Sequence, residues 1–466
     1  MSFVKNILLL ASATLIVGAT LPNDIEEILN KSKVNKENVA ILITNSNSGE
    51  VIASHNPYKA FTPASVAKLA TAYAALLELG KDFRWPTQIF YRGTIKNGIL
   101  SGDIIIKAYG DPSLSSYNVK EFAKRIAGYG IKKITGNMII DRSFFQNSQN
   151  ISSGFDKNFV SQYNSMPDCM MINRHLNSIK ISPSAQGISV YRANEDKSFK
   201  LINNIKAVNS QCKGKNAWPK VRFLKDNDSI AVKLEGSLSK KCRPFSINKV
   251  LSPSYKSFYY IFSHFLNQYG VEFKGKLIDK EKPSDAKLFF THFSRPLSSL
   301  IAHTLKKSDN LYARHIFLLL GAKYYGAPAT LEKGQMAIKE ILGSRDLISN
   351  EDIIINGSGL SRKSRLSAIS LHKILDDAYK NYGKEWLQML SIAGVDGTLK
   401  KRFKHSIVKN RAFMKTGTLK RAKNIAGYVY GKSGKLYNTV ILYNGAKVWI
   451  GKDIQDKIIT QIVKRR

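Results

Sequence analysis

The two ends of this sequence share a pattern of strands and helices that its middle lacks, and this pattern constrains the fold most. Near the start, Asn38–Asn45 (NVAILITN) predicts a strand, and Val51–Ser54 begins a return strand after a Ser-Asn-Ser-Gly turn. The Ala- and Leu-rich run Ser65–Gly80 then predicts a helix that stops at its glycine. The C-terminal part again predicts three strands and an amphipathic helix: RAFMKTGTL, NIAGYVYG, LYNTVILYNG and Asp453–Lys464. We therefore expect both ends to build one α/β unit, with the middle of the chain inserted into it.

The middle, from about Phe83 to Lys282, has short β-like runs that alternate with turns, and one helix-like stretch near Val119–Tyr129. It is predicted to be a mostly β insertion with two nested units. Helices follow at Pro296–Leu320, Thr330–Leu342, Ala368–Asn381 and Lys384–Leu390. The expected domains are a leader at 1–19, a discontinuous domain at 20–84 and 285–466, and an insertion at 85–284 whose second unit spans roughly 165–260.

The N-terminus has the pattern of an export signal. Lys5 precedes an apolar run from Ile7 to Val17, and Gly18 and Ala19 follow. A charged start, a short apolar run and small residues are typical of a signal peptide, and the run is too short to span a bilayer. We expect export to the periplasm or cell envelope, with cleavage after Ala19. A membrane anchor or a buried first helix is the alternative.

The chain is strongly basic, since 72 Lys and Arg residues outnumber 34 Asp and Glu residues to give a net charge of +38. Such a charge favours anionic partners. For an exported chain, anionic wall polymers or lipid head groups at the membrane surface are the expected partners. Nucleic acid is not expected, because no fingerprint of a DNA- or RNA-binding module is present. A soluble surface that is simply rich in lysine is the alternative.

Three cysteines, Cys169, Cys212 and Cys242, leave room for one disulfide in an exported protein. Cys212 and Cys242 both lie in a polar, lysine-rich segment, so they are the favoured pair, and Cys169 would stay free. Three reduced thiols remain the alternative.

Ser65 and Lys68 form a Ser-x-x-Lys motif at the start of the first predicted helix. Residues three apart share a helix face, so the amine can touch the hydroxyl and accept its proton when it is uncharged. The motif alone is weak, because seven further serines also start it: Ser2, Ser210, Ser237, Ser246, Ser284, Ser370 and Ser406. Ser65 stands out because a Pro-Ala pair precedes it and an apolar helix follows.

Two further motifs suit the same chemistry. In Ser308-Asp309-Asn310, the hydroxyl can relay a proton and the Asn310 amide can hold a carbonyl or an amine. In the β-like run at Lys415-Thr416-Gly417, a strand edge can pair with an extended peptide, and the lysine and threonine can bind a carboxylate. Gly417 would let the substrate backbone approach closely. A helix cap and a lysine-rich strand are the ordinary alternatives, but the trio in this order is typical of penicillin-binding proteins and class A β-lactamases.

Over nearly all of the mature chain, the wider sequence closely resembles the low-molecular-mass class C penicillin-binding proteins of the type-4 kind, the S13 peptidase family of D-alanyl-D-alanine carboxypeptidase/endopeptidases. The resemblance rests on the trio and on these stretches: GDPSL (Gly110–Leu114), ITGNMIIDRSFF (Ile134–Phe145), LKKSDNLYA (Leu305–Ala313), NGSGLSR (Asn356–Arg362), AGVDGTL (Ala393–Leu399) and MKTGTL (Met414–Leu419). It implies a serine transpeptidase/β-lactamase-like α/β (α+β) domain, with an antiparallel sheet flanked by helices and a large, mostly β insertion. A compact β-lactamase would have a far shorter gap between Ser65 and Ser308.

The resemblance also implies an acyl-enzyme mechanism on peptidoglycan stem peptides, with no metal and no cofactor. Ser65 would attack the carbonyl of a D-alanine residue with Lys68 as the base, and β-lactams would acylate Ser65. Asn310 would orient Lys68 and the substrate, while Ser308 and Lys415 would help to protonate the leaving amine.

Substrate binding is implied for two further groups of residues. Backbone N–H groups of Ser65 and Thr418 would form the oxyanion hole, beside Thr416 and Gly417. A diamino acid side chain would be read by three residues in matching stretches, namely Asp141, Phe145 and Arg362.

The sequence departs from the family pattern at two positions: Asn356 stands where an acid is frequent, and Lys420 where some relatives carry glutamine. Two alternatives to the peptidase stay open from the sequence. One is a β-lactamase, for which no separate glutamate motif is evident. The other is a non-catalytic cell-wall-binding protein with a vestigial site.

Overall fold

The computed structural model describes residues 21–148, 150–226 and 228–465, so the leader predicted at 1–19 lies outside the described residues. The helices are α1 (Asn23–Lys31), α2 (Lys68–Leu79), α3 (Ser116–Gly128), α4 (Ser254–Gln268), α5 (Leu297–Lys307), α6 (Asn310–Tyr325), α7 (Leu331–Gly343), α8 (Ala368–Met389) and α9 (Val448–Arg465). The strands are β1 (Val39–Asn45), β2 (Val51–His55), β3 (Ala60–Phe61), β4 (Pro86–Lys96), β5 (Ile99–Ala108), β6 (Lys133–Ile134), β7 (Met138–Asp141), β8 (Asn177–Ser184), β9 (Gly187–Arg192), β10 (Leu201–Val208), β11 (Lys220–Asp226), β12 (Ser229–Ser239), β13 (Phe245–Lys249), β14 (Glu272–Phe273), β15 (Leu277–Asp279), β16 (Lys287–Phe293), β17 (Leu366–Ser367), β18 (Ser391–Ile392), β19 (Ala412–Leu419), β20 (Ala422–Tyr430) and β21 (Leu436–Tyr443).

The central sheet takes its strands from both ends of the chain, in the order β18-β19-β20-β21-β1-β2, and every neighbouring pair is antiparallel. All seven residues of β1 are buried. Ala40 and Leu42 pack into the core beneath α2, α5, α6, α7 and α8, whereas Val39, Ile41 and Ile43 pack beneath α1 and α9. Because side chains alternate along a strand, helices cover both faces of the sheet. The predicted antiparallel sheet flanked by helices is confirmed.

The helical run predicted at Pro296–Leu320 is two helices rather than one. α5 ends at Lys307, and Ser308 then adopts a left-handed φ of 55°. The carboxylate of Asp309 accepts hydrogen bonds from the backbone N–H groups of α6 and caps that helix. The apolar period continues across this break, which is why periodicity alone predicted one helix.

The two helices predicted around residue 383 form α8, which is kinked at Gly383 with a φ of 50°. A residue without Cβ adopts this backbone conformation at little cost, so the glycine explains the gap between the two predicted helices.

The inserted region forms three sheets of its own. One contains β14-β6-β5-β4-β16 together with β7 and β15, and its core includes α3 and α4. The other two, β13-β8-β9 and β10-β12-β11, lie in sequence between β7 and α4 and share a core. Leu318 and Ala322 of α6 belong to the core of the first sheet, so this sheet packs directly on the helix that follows Ser308. The domain boundaries themselves stay a prediction.

α4 corrects the expectation of a single helix in the inserted region. Its sequence, SYKSFYYIFSHFLNQ, is rich in aromatic residues, which favour strands when they are judged by propensity. Phe258, Ile261, Phe262 and Phe265 are buried at helical spacing and pack into the core of the inserted sheet. Burial of this apolar face outweighs the local preference.

Cys212 and Cys242 form a disulfide with their Cα atoms 5.0 Å apart, and Cys169 is free and buried. The favoured pairing is confirmed. The bond joins the segments that follow β10 and β12, two strands that pair in parallel. In the part of the chain that the structure describes, no helix is long and apolar enough to cross a membrane.

Replacing both Cys212 and Cys242 by serine should lower the free energy of unfolding of the inserted region by about 3 to 4 kcal/mol. The bond closes a loop across a sequence separation of 30 residues and so restricts the unfolded chain. Urea unfolding followed by hydrogen exchange should locate the loss in β10 and β12, with the central sheet unaffected. Reductant should bring the wild type to the stability of the variant and leave the variant unchanged. Equal stability of the oxidised and reduced wild type would contradict this account.

Candidate active site

Ser65 lies in a 3₁₀ turn, Ala64–Ala67, that leads directly into α2. Ala64 has a φ of 49°, a conformation that is uncommon for residues other than glycine. The side-chain Nδ2 of Asn424 donates to the carbonyl of Pro63 (2.9 Å) and fastens the chain just before the turn. The helix predicted from Ser65 therefore begins as a tighter turn, in which side chains three residues apart are eclipsed.

Lys68 is fully buried, and its Nζ has three oxygen neighbours: Ser65 Oγ (2.9 Å), Asn310 Oδ1 (2.8 Å) and the carbonyl of Ser358 (2.5 Å). Burial lowers the pKa of Lys68 well below its usual range, and the nearby positive charge of Lys415 lowers it further. A neutral amine has two N–H donors and one lone pair. The Asn310 amide oxygen and the Ser358 carbonyl oxygen can accept hydrogen bonds from the two N–H groups. The lone pair is then free to accept the proton of the Ser65 hydroxyl. The site therefore favours an uncharged base beside a serine.

The carbonyl of Ser358 belongs to a turn whose contact with Lys68 was not predicted from the sequence. Asn356 Oδ1 accepts hydrogen bonds from the Ser358 N–H (3.1 Å) and hydroxyl (2.9 Å). Gly357 and Gly359 have φ values of 68° and 75°. A Cβ on Gly359 would lie 1.8 Å from the carbonyl oxygen of Ala64, so only glycine lets this turn press against the Ser65 turn. Asn356 therefore positions the Lys68 amine through a backbone carbonyl.

Ser308 and Lys415 form a second serine–lysine pair. Lys415 lies on β19, is fully buried, and donates from Nζ to Ser308 Oγ (2.9 Å) and to the carbonyl of Thr416 (2.7 Å). Burial lowers the pKa of Lys415 to about 7. A lysine with this pKa can give and take a proton near neutral pH.

β19 runs directly against the Ser65 turn. A Cβ on Gly417 would lie 2.8 Å from the carbonyl oxygen of Pro63 and 3.0 Å from the backbone nitrogen of Ser65. The pairing of β18 with β19 ends at Met414, so the next residues of β19 have no described strand on that side. A free strand edge can bind an extended peptide through its backbone. The Thr416 hydroxyl lies on this stretch and donates to Thr398 Oγ1 (2.9 Å).

Residues of the inserted region hold the Ser-Asp-Asn segment. Asn310 Nδ2 donates to the carbonyl of Tyr163 (3.1 Å), and Arg174 Nη2 donates to the buried carboxylate of Asp309 (2.7 Å). Sequence reasoning missed both contacts. A backbone carbonyl carries no residue-type signal, and Arg174 is one of many basic residues in the chain.

Asp141 and Phe145 have contacts inside the inserted region. The buried Asp141 carboxylate accepts hydrogen bonds from Lys107 Nζ (2.7 Å) and from the backbone N–H of Lys282 (2.9 Å). The Phe145 ring packs so closely on Gly110 that a Cβ there would lie 2.3 Å from it. These contacts give both residues a structural role.

Arg362 is placed differently from the other two residues expected to read a diamino acid. Its guanidinium lies over the Phe155 ring, 4.3 Å from the centroid, and it lines a cavity of about 350 Å³ together with Thr62 and Lys420. No hydrogen bond or ring contact among the described residues joins Arg362 to Asp141 or Phe145. Arg362 therefore makes no direct contact of these kinds with the other two, and the role of the three in reading a diamino acid stays a prediction.

Comparisons with known proteins identify similar chains. A family model described as the D-Ala-D-Ala carboxypeptidase 3 (S13) family matches residues 21–465. The D-alanyl-D-alanine carboxypeptidase DacB of Haemophilus influenzae is 29% identical over 417 residues, which cover 88% of this chain and 85% of the relative. The crystal structure of penicillin binding protein 4 from Haemophilus influenzae is similar with a TM-score of 0.78 and 25% identity, covering 94% of this chain and 100% of that chain. The same protein in complex with a β-lactam gives a TM-score of 0.73 and 24% identity, covering 94% and 99% of the two chains.

The low pKa of Lys68 can be measured directly. In protein labelled with ¹³C at lysine Cε, the resonances of Lys68 and Lys415 should both titrate well below those of the exposed lysines, and Lys68→Arg should remove one of the two. Lys415→Met should raise the pKa of Lys68, because a neighbouring positive charge is lost. Asn356→Asp should also raise it, because a nearby carboxylate favours the charged amine. If all lysines titrated together in both the wild type and Lys415→Met, the uncharged base would be excluded.

Proposed function

This chain belongs to the D-Ala-D-Ala carboxypeptidase 3 (S13) family, and on that premise we propose that Ser65, Lys68, Ser308, Asn310 and Lys415 carry out its reaction. The chain is a serine-type D-Ala-D-Ala carboxypeptidase/endopeptidase that cuts peptidoglycan stem peptides and is acylated by β-lactams. The observation that carries the assignment of residues is the contact of 2.9 Å between Lys68 Nζ and Ser65 Oγ in a buried site.

In the first step, Ser65 Oγ attacks the carbonyl carbon of a D-alanine residue while its proton passes to Lys68 Nζ. An Oγ–C bond forms, and the carbonyl oxygen becomes negative. We assign its stabilisation to the backbone N–H groups of Ser65 and Thr418. The close approach of Gly417 to the Ser65 nitrogen supports this pair, because it puts both segments at one place. Fixed donors at a developing oxyanion usually contribute a large part of the rate acceleration.

In the second step, the C–N bond breaks and the leaving amine takes a proton from the Ser308 hydroxyl, which is replenished from Lys415 Nζ. The hydrogen bond between these two residues supports the relay. The amine is a free D-alanine in the carboxypeptidase reaction and the amino group of a cross-linked diamino acid in the endopeptidase reaction. Before water enters, the proton held by Lys68 returns through solvent to Lys415, so that both lysines regain their starting charges. Water then attacks the ester and gives a proton to Lys68, the Oγ–C bond breaks, and Lys68 returns that proton to Ser65. Asn310 orients Lys68 throughout.

Substrate would lie along the free stretch of β19, with its terminal carboxylate near Lys415 and Thr416. The openness of this edge beyond Met414 supports the placement. We retain Asp141, Phe145 and Arg362 as proposed contacts to the diamino acid, and Arg362 is the best placed because it borders a cavity with Thr62. We also propose the division of the chain into a discontinuous peptidase domain and an inserted region. The inserted region begins near residue 85 and, because β16 pairs with β4, ends after Phe293 rather than near residue 284.

Ser65→Ala should abolish covalent labelling by fluorescent penicillin and lower the release of D-alanine by at least about a thousandfold, because the nucleophile is lost. Ser284→Ala is a matched control, since Ser284 also begins a Ser-x-x-Lys motif but is exposed. It should label and turn over like the wild type. Labelling is read by gel fluorescence and peptide mapping, and D-alanine release by an enzyme-coupled assay.

The same preparation separates a peptidase from a β-lactamase. Neither Ser65 nor Lys68 forms a hydrogen bond with a described Asp or Glu side chain, and the proposed mechanism assigns no carboxylate to hydrolysis of the β-lactam ester. Nitrocefin should give one equivalent of product and then only slow turnover. Rapid steady hydrolysis would favour a β-lactamase, and label retained by Ser65→Ala would reject the proposed nucleophile.

We further propose that the protein is exported to the periplasm and is drawn to anionic wall polymers or to the membrane surface. The leader pattern and the net charge of +38 support this. Co-sedimentation with purified wall sacculi should fall as salt rises, because charge attraction is screened. Ser65→Ala should sediment like the wild type. Binding that is insensitive to salt would contradict attraction by charge.

A further inference from the structure

A cavity of about 610 Å³ lies between α6 and the inserted region, next to the smaller cavity that Arg362 borders. One part of its lining is apolar and includes Phe155, Met166 and Leu318. Another part is cationic, with Arg314, Arg362 and Lys363, and none of the lining residues is acidic. The cavity is therefore suited to a ligand with a negative group and an apolar body.

Arg314 is the unusual member of this lining. It lies on α6, one turn after Asn310, and only 5% of it is exposed. Its Nη1 donates to the carbonyl of Ser165 (2.7 Å), but its Nε is buried without a hydrogen-bond partner. No described carboxylate lies within ion-pair distance of it. Burial alone lowers the pKa of Arg314 to about 10.

Among the described residues, the other buried arginine, Arg142, and the partly buried Arg402 both have acidic partners. Arg142 pairs with Asp168 and Asp279, and Arg402 pairs with Asp456. A buried cation without a counter-charge is costly, and such groups call for a specific explanation. An anion bound in the cavity would supply the missing partner of Arg314.

A second buried group without a hydrogen-bond partner, the side-chain oxygen of Asn147, further restricts which ligands fit the cavity. Asn147 also lines the cavity, and its Oδ1 is buried without a hydrogen-bond partner, while its Nδ2 donates to the carbonyl of Arg142 (3.1 Å). An oxygen acceptor requires a donor on the ligand. A carboxylate together with an N–H donor and an apolar side chain describes an acylated amino acid.

We propose that this cavity is a binding site for a peptide-borne carboxylate, which Arg314 holds by charge, while Asn147 Oδ1 accepts a hydrogen bond from an N–H group of the same ligand. Only the identity of the natural ligand rests on the proposed function. In a peptidoglycan hydrolase, the ligand would be a carboxylate of the stem peptide that lies away from the bond that is cut. Arg362 and Phe155 border both cavities, so a bound strand could extend from one to the other.

Calorimetric titration with N-acetyl-D-leucine tests the site, and N-acetyl-D-leucinamide is the uncharged control. The wild type should bind the acid with one-to-one stoichiometry and bind the amide at least tenfold more weakly. Arg314→Leu should lose at least tenfold in affinity for the acid, and Arg314→Lys should recover part of it. Arg222→Leu removes an exposed arginine of another sheet and should bind like the wild type. Without ligand, Arg314→Leu should unfold at the same or a higher temperature, because it removes an unpaired buried charge.

Equal binding of acid and amide, or unchanged binding by Arg314→Leu, would overturn the proposal. If Arg314→Leu failed to fold, Asn147→Ala would test the proposal instead. It should bind N-acetyl-D-leucine at least threefold more weakly than the wild type, and unchanged affinity would overturn the proposal. Binding by Ser65→Ala equal to that of the wild type would support a site separate from the nucleophile. Failure of penicillin to label Ser65 would reject the proposed function but leave this binding result intact. A rise in KM on amidation of the stem-peptide carboxylate, seen in the wild type and not in Arg314→Leu, would assign the ligand to the substrate itself.

Discussion

The site depends on keeping two lysine amines inside the protein close to two serine hydroxyls. Lys68 and Lys415 are both fully buried, and each contacts a serine oxygen at 2.9 Å. Two full positive charges in such a place would be costly, so burial favours loss of a proton from each amine, and the charge of Lys415 lowers the pKa of Lys68 further. The chemistry thus follows from a packing condition. In the proposed mechanism no separate acidic or imidazole base is required, because burial favours the uncharged form of Lys68.

Burial of the two amines requires segments from distant parts of the chain to pack around them. The Ser65 turn lies between β19 and the Asn356–Gly359 turn, and the close contacts of Gly417 and Gly359 show how little space separates them. The start of α6 supplies Asn310 on another side, and Asp309 caps that helix while Arg174 of the inserted region holds its carboxylate. The central sheet can provide this frame because its strands come from both ends of the chain.

The sequence predicted those parts of the site that depend on side-chain identity. Ser65, Lys68, Ser308, Asn310 and Lys415 could be chosen because a hydroxyl, an amine and an amide have recognisable uses. Contacts made by backbone carbonyls, such as those of Ser358 and Tyr163, could not be predicted, since any residue type can supply them.

The fold shows the same division between local pattern and tertiary context. Alternating and helical patterns located most strands and helices. The break at Ser308 was missed because the apolar period runs through it, although Asp309 is a typical N-cap residue. α4 was missed because its aromatic residues favour a strand until their burial on one face is known.

The contact between Arg174 and Asp309 bears on how such a protein can evolve. An inserted region joined only through its two chain crossings could be gained, lost or exchanged without harm to the ancestral machinery. Here Arg174 of the inserted region pairs with Asp309, the acid that caps α6, and the carbonyl of Tyr163 accepts a hydrogen bond from the amide of Asn310. Removing the insert would leave that acid with one cation fewer and the amide without its anchor. The two parts are therefore coupled, since any change in the inserted region that moves Arg174 or Tyr163 also alters how the start of α6 is held.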